Sequence, residues 1–387
     1  MKGTWLIAWR YVTYHRGRSI LLMIALALTV VLPISVQVLV AKFERELSAR
    51  AARTPLVLGA KGSRYDLVLS SLYFKGRIPE PVTMADVDDV RASNLADALP
   101  VIARNSAKGF PLVGVELDYY EFRQAWAIEG TLPQRLGDCV LGAEVARELG
   151  LGPGDSILSD QENLYDISKS YPLKMHVTGV LAQTDSPDDR AVFTDLFTIW
   201  VVEGIGHGHR PAEESTQEER FGSEGGHVKL NASIFEYNEI TPENEASFHF
   251  HAEREELPLT GIICRPKNDK GRTILRGRYS VSKSRQLLVP DEVIGELLGF
   301  IFRLKAFFDA NALAVFGATI LFLSTIVLLS IQVRRRELLT LEKIGAARLT
   351  VTKIVAAELF LLLVGACLIA GLALAIAMPV LTRLAGV

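Results

Sequence analysis

Hydrophobic and polar positions are spread very unevenly along these 387 residues. Residues 20–41, ILLMIALALTVVLPISVQVLVA, carry no charge, and neither do residues 311–333, NALAVFGATILFLSTIVLLSIQV. Residues 354–381 form a third apolar run whose single acid, Glu358, stands near its start. About 20 apolar residues at 1.5 Å rise cross a ~30 Å hydrocarbon layer, so each run predicts one transmembrane helix. The third run is too short for two crossings and a turn. The first exceeds the ~7–15 residue apolar core of a secretory signal and reads as a retained span, bent at Pro33. Glu358 falls at the headgroup end, where the cost of a charge drops below the roughly 3 kcal/mol it reaches at the bilayer centre.

The stretch between, residues 42–310, alternates on a much shorter scale. AKFERELSARAAR reads as a helical stalk continuing the first span. PLVLGAKGSRYDLVLSSLYF reads as a strand, a turn and a second apolar element, because glycines bound its short apolar runs. VTMADVDDVRAS predicts a helix with Thr83 as its cap and acids in its first turns. DCVLGAEVARELG predicts strand then helix, GLGPGDSI a turn into a strand, and KMHVTGVLAQT and LPLTGIICRP further strands. RAVFTDLFTIWVVE is strand-like and apolar. Residues 204–256 are polar, Gly-rich and acid-rich, and read as a long insertion with short strands near its end. The fold class is therefore a membrane protein: three transmembrane helices and a large α+β extracytoplasmic domain between the first and second.

Charge sets the orientation. Residues 1–19 hold Lys2, Arg10, Arg16 and Arg18 with no acid, and the loop 334–353 holds six bases against Glu337 and Glu342. Basic flanks stay cytoplasmic, and two crossings satisfy both. The five bases in 42–61 count for less, because long domains translocate largely regardless of charge. The third span then leaves 382–387 as an outer tail. In 1–19, Trp5, Leu6, Ile7, Trp9 and Tyr11 mixed with bases predict an interfacial helix under the membrane, or an extension of the span itself.

Composition changes little in this picture. The chain is 49% hydrophobic with a net charge of −2, and its mean hydropathy is +0.24, high for a soluble protein. That balance gives no argument for nucleic acid as a partner. No phosphate-binding loop, HExxH, GxSxG or paired catalytic carboxylates occur, so no catalytic residue is assigned. Cys139, Cys264 and Cys367 lack CxxC spacing. Cys367 packs in the third span, while Cys139 and Cys264 are either two buried thiols or a disulfide.

Five of the seven histidines lie between 207 and 251: His207, His209, His227, His249 and His251. HGH and HFH are i, i+2 pairs, which on a strand share a face. Zinc takes imidazole nitrogens and carboxylates tetrahedrally, so zinc is the metal expected here. Alternatively, Phe248 and Phe250 alternate with His249 and His251 in an ordinary half-buried sheet. The third span adds small residues at Cys367, Gly371 and Ala375, with Ala366 and Ala370 beside them, a spacing that lets helices approach closely.

RRRELLTLEKIGAARLTVTKIVAAE, 334–358, resembles the cytoplasmic loop of FtsX/MacB-type permease subunits of ABC transporters. The matching positions are Arg335, Arg336, Glu337, Leu341, Ile344, Gly345, Ala346, Arg348 and Glu358. LVLGAKGSRYDLVLSSLYF, and VLGAEVARELGLGPGDSI followed by VTGVL, are similar to segments of the MacB-like periplasmic core. The resemblance implies an inner-membrane, multi-pass permease subunit that binds no cofactor itself, dimerises, contacts lipid and pairs with a separate ATPase that holds ATP. A periplasmic partner protein is a further expectation. Such permeases pass the ATPase's motion to the outer domain, exporting or extracting lipoprotein, peptide or drug. An amphipathic helix at 336–347 would offer Leu338, Leu341 and Ile344 to the ATPase and end at Gly345. The family usually has four spans, and this sequence supplies three. A membrane-anchored sensor or metal-binding receptor without transport is the competing reading.

Overall fold

A computed structural model describes residues 2–160, 172–208, 220–224, 227–230, 237–333, 335–336, 340, 343 and 348–384. Side chains are described for these except at 2, 220–224, 227–230, 330, 348, 351 and 379–384. The chain forms two compact units, one of Leu47–Glu296 and one of Met1–Glu46 with Leu297–Val387. Pattern alone assigns 42–46 and 297–310 to the outer domain. In the structure both are helical, and they fall in the unit of Met1–Glu46 and Leu297–Val387.

The unit of Met1–Glu46 and Leu297–Val387 holds α1 (Lys2–Tyr14), α2 (Arg16–Ala52) as far as Glu46, the long helix Pro290–Val333 from Leu297 onward, and the long helix Arg348–Leu384. Among the described residues, three helices are long and apolar enough to cross a membrane: Arg16–Ala52, Pro290–Val333 and Thr352–Met378. Their outer faces expose Leu21, Leu313, Leu321 and Leu368, the last at 71%. So large a continuous apolar surface is unfavourable in water and suits lipid. The Trp5 ring meets Phe360 edge-on at 5.5 Å.

The Leu47–Glu296 unit is built on a large mixed sheet. In chain order the strands are β1 Leu56–Ala60, β2 Val82–Thr83, β3 Ala96–Ala107, β4 Phe110–Val115, β5 Ala127–Gly130, β6 Asp138–Leu141, β7 Ser156–Leu158 and β8 Lys174–Leu181. They continue with β9 Val192–Thr194, β10 Gly206–Gly208, β11 Arg220–Glu224, β12 His227–Leu230, β13 Phe248–Phe250, β14 Pro258–Leu259, β15 Gly261–Pro266 and β16 Arg285–Leu288. The main sheet runs β16-β1-β15-β3-β4-β9-β6-β8-β5, and β7 also pairs with β8. Pairing is antiparallel except at β4/β9 and β6/β8. The first strand thus sits between the last two.

Helices α3 (Arg64–Tyr73), α4 (Met84–Ala92), α5 (Leu117–Arg123), α6 (Ala143–Leu149), α7 (Leu196–Val202) and α8 (Asp269–Ser280) accompany the sheet. Apolar side chains from both layers, among them Leu58, Val87, Leu141, Ile199, Trp200 and Ile262, are fully buried. Thr83 starts α4 as expected, and the Asp86 carboxylate accepts from its backbone N–H at 2.9 Å.

One expectation changes, and one open alternative is decided. Residues 192–203 form a strand and then α7. Asp195 caps α7, accepting the Thr198 N–H at 3.0 Å, and a short apolar run cannot by itself distinguish strand from helix. Cys139 and Cys264 are both free and buried. They stand on β6 and β15 with three strands between them, roughly 19 Å at ~4.8 Å per strand, which excludes a disulfide.

Candidate functional site

The most elaborate polar arrangement in the 47–296 unit begins at the last turn of α2. Leu47, Arg50 and Ala51 share one face by helical spacing, Thr54 follows just past the helix end, and all four are buried. Three of them suit a core; a guanidinium does so only if its charge is matched. Arg50 donates from Nη1 to Asp188 Oδ2 and from Nη2 to Asp188 Oδ1, both at 2.7 Å. Nη2 also reaches the Tyr119 hydroxyl at 2.7 Å, and that hydroxyl donates to Asp188 Oδ1 at 2.8 Å. Nε donates to the Leu72 carbonyl at 3.1 Å. A planar fork matched to a carboxylate in this way is the strong, directional form of an ion pair.

Each partner is placed by its own local chemistry. Asp188 lies in a short 3-10 turn, Pro187–Arg190, capped by Ser186 and held by Asp189, whose carboxylate accepts from the Thr184 N–H at 2.8 Å. Tyr119 comes from α5 and Leu72 from α3. Phe74 caps α3 in left-handed geometry (φ 56°), under the Arg50 guanidinium at 5.8 Å and edge-on to Phe193. The Tyr73 hydroxyl donates to the Leu47 carbonyl. Three segments therefore converge on the one buried cation that α2 supplies.

The electrostatics agree with the geometry. Burial favours a neutral Asp188, but Arg50's charge and hydrogen bonds outweigh it and hold the carboxyl below its ordinary range. Burial works against the Arg50 cation, and Asp188 and Tyr119 more than restore it. Burial pushes the Tyr119 phenol up to about 12, so it keeps the proton it donates. Arg123, also on α5, is lowered to about 10 by burial and by the neighbouring Arg50 charge.

In the helical unit, Glu358 is buried and pairs with Arg18 of α2 at 3.4 Å. These two charges join Leu22, Leu323, Ile326 and Val355 in lining one pocket among three helices. The sequence motif's downstream acid is thus placed against the first span. Arg335 and Arg336 are exposed. Glu337, Leu341, Ile344, Gly345 and Ala346 lie outside the described residues, as does the Arg348 side chain. On the third span the buried ridge within this chain is Leu362, Ala366 and Ala370, with Gly365 against Met23. Cys367, Gly371 and Ala375 occupy the adjoining, exposed ridge.

Three of the five clustered histidines come together. His207, His249 and His251 bring one ring nitrogen each within 4.8 Å of one another. His209 and the His227 side chain lie outside the described residues.

Comparison with known proteins places this architecture. Residues 19–223, more than half of the chain, match the family model of the MacB-like periplasmic core domain. The chain belongs to that family and is an ABC-transporter permease of the FtsX/MacB type, an inner-membrane protein with a periplasmic domain. Membership implies an ABC ATPase subunit as partner. One similar solved structure is the periplasmic region of MacB from Actinobacillus actinomycetemcomitans, at 9% identity and TM-score 0.36, covering 63% of this chain and 92% of that one. Another is the extracellular domain of the noncanonic ABC-type transporter YknZ from Gram-positive bacteria, at 8% identity and TM-score 0.33, covering 60% and 98%. No curated protein matches the sequence.

By its letters alone Arg50 is one of five bases flanking a span, which hides its role. Its i, i+4, i+7 company of Leu47, Ala51 and Thr54 was the available signal.

Proposed function

We propose that this permease subunit works by mechanotransmission: a separate ATPase drives the basic segment 334–353, and the helices carry that motion to the periplasmic domain. The observation that carries the reading is the burial of α2's last turn in the core of the outer unit, with Arg50 forked onto Asp188. A helix that ends in a flexible linker dissipates displacement. One whose terminal turn is fixed by a bidentate ion pair moves the groups bonded to it. The cargo class is lipoprotein, peptide or drug, handled on the periplasmic side, and the working form is a homodimer in contact with lipid. The chain contributes no catalytic residue of its own, and ATP is hydrolysed on the partner.

Orientation follows the basic flanks, with 1–19 and 334–353 at the inner leaflet. The motif residues Arg335, Arg336, Glu337, Leu341, Ile344, Gly345, Ala346, Arg348 and Glu358 form the ATPase-coupling segment. Proline at 345 prevents the left-handed turn that glycine permits, and Asp at 344 removes an apolar anchor. The double substitution Ile344→Asp, Gly345→Pro is therefore expected to abolish co-purification with the ATPase subunit while the amount of permease in the membrane fraction is unchanged. Undiminished co-purification would refute coupling through this segment.

A second reading, a membrane-anchored metal receptor without transport, is favoured by the histidine cluster alone. It predicts that no ATPase co-purifies even with the unaltered chain.

A further inference from the structure

Beyond transport, we propose that His207, His249 and His251 form a divalent-metal site on the periplasmic domain, with zinc as the ion bound and one coordination position left open.

The backbone register creates the cluster. β10 pairs antiparallel with β13, with His207 directly opposite His249. Residues directly opposite project to the same side of a sheet, and His251, two residues beyond His249, shares that side. The His251 N–H donates to the Ile205 carbonyl at 3.3 Å, which carries the ladder past Phe250 and keeps His251 in register. The three ring centroids lie 4.7, 4.8 and 5.0 Å apart, a nearly equilateral triangle of imidazoles.

The opposite side of the same ribbon explains why the sequence reads GHG against FHFH. A Cβ on Gly206 would come within 2.4 Å of the Phe250 ring, and one on Gly208 within 2.7 Å of the Phe248 ring. Each phenylalanine lies across a glycine. Phe250 continues into an aromatic group with Phe197 and Trp200, at 5.4 and 6.5 Å. Apolar packing therefore holds one face, and the histidines present the other, His249 and His251 exposed and His207 half-buried.

The distances suit a metal. At Zn–N of 2.0–2.1 Å, two nitrogens of a tetrahedral site stand about 3.3–3.4 Å apart. His251 Nε2 and His207 Nε2 already lie 3.2 Å apart. The widest separation in the group, 4.8 Å, closes to a tetrahedron's edge with a shift of about 1.5 Å, within reach of a rotation of exposed rings. His249 Nδ1 lies 3.2 Å from the Ser247 carbonyl. That contact assigns the proton to Nδ1 and leaves Nε2 as the ligating atom, the outer bond that commonly orients a metal-binding histidine. Imidazoles without thiolate favour zinc and its neighbours over calcium or magnesium. Three protein ligands on a solvent-facing surface leave a fourth position for water or a donor from a partner, which marks an exchangeable site and not a structural one. The alternative arrangement is an imidazole–imidazole hydrogen bond between His207 and His251.

The test uses the full chain in detergent, stripped of metal and titrated with Zn2+ against a chromophoric chelator, with no ATPase subunit present. Its outcome is thus independent of the transport reading. One zinc per chain is expected, with affinity falling at least 100-fold in His207→Ala and in the double variant His249→Ala, His251→Ala. His15→Ala, in the helical unit, should bind as the unaltered chain does. X-ray absorption on the zinc-loaded unaltered chain should show three imidazole nitrogens at 2.0–2.1 Å. Equal affinity in the histidine variants, no zinc bound by the unaltered chain, or a shell of oxygens alone would overturn the proposal. The absorption measurement decides the matter even if a variant fails to fold.

Discussion

Asp188 and Arg50 illustrate how a buried charge pair divides its consequences. Removing one partner strands the other: Asp188→Asn leaves a fully buried guanidinium short of a counter-charge, and is expected to destabilise the periplasmic domain by about 3–5 kcal/mol. Replacing both, Arg50→Met with Asp188→Leu, should recover most of that loss in a thermal melt of the purified chain. If mechanotransmission runs through the fork, the double variant will be stable and transport-deficient. The sign of the pH dependence follows from the depressed Asp188 carboxyl. Its contribution is complete above the unfolded value near pH ~3.9 and disappears as pH falls through the lower, folded value. Asp189 and Asp195 act oppositely, since burial raises both and their protonation favours the fold as pH drops. The difference between unaltered and Asp188→Asn melts across pH 2 to about 5 therefore isolates the pair. The gap should shrink toward the acid end. Phe74 shows why this was hard to read in advance. Nothing in the letters LYFKG says that a phenylalanine will take the left-handed position glycine usually fills, and it does so in contact with Arg50 and Phe193.

Among the elements, the strand–helix turn at Gly142 is the tightest junction near the fork. A Cβ there would stand 2.2 Å from the Asp188 carbonyl and 2.5 Å from that of Asp189, both backbone atoms that cannot swing aside. Gly142→Ala should push the 187–190 turn away and cost about 1–3 kcal/mol, read as a lowered melting temperature with the sheet's circular-dichroism signal retained. Elements with strong local signals were legible. Thr83 with Asp86 announced α4, and DCVLGAEVARELG resolved into β6 and α6 as its letters suggest. Pairings between distant segments were not. The i, i+2 histidines were visible, but their meeting depends on β10 finding β13 across some 40 residues, and no local pattern encodes that register. The segment 192–203 failed for another reason: a capping aspartate inside an apolar run outweighed its β-branched composition.

At the scale of the whole molecule, three apolar helices and basic flanks give a definite arrangement to test. With Cys367→Ala removing the exposed thiol, Lys343→Cys should react with a membrane-impermeant maleimide only after the cells are opened. Labelling of intact cells would invert the topology. Cys139 and Cys264 should stay silent in either case, because burial pushes the Cys264 thiol up to about 12 and the Cys139 thiol higher still. The apolar runs and the family were legible from sequence because lipid imposes a composition.

The insertion of β1 between β15 and β16 carries a cost in time. Val57 pairs with both Ile263 and Leu288, partners more than 200 residues later in the chain. A nascent polypeptide emerging on the far side of the bilayer must hold its first strand unpaired until nearly the entire domain has been threaded across. High contact order of this kind slows folding and leaves strand edges open to wrong partners. Biogenesis of this permease should therefore depend on periplasmic chaperones at the stage of secretion, well before any ATP is spent on transport.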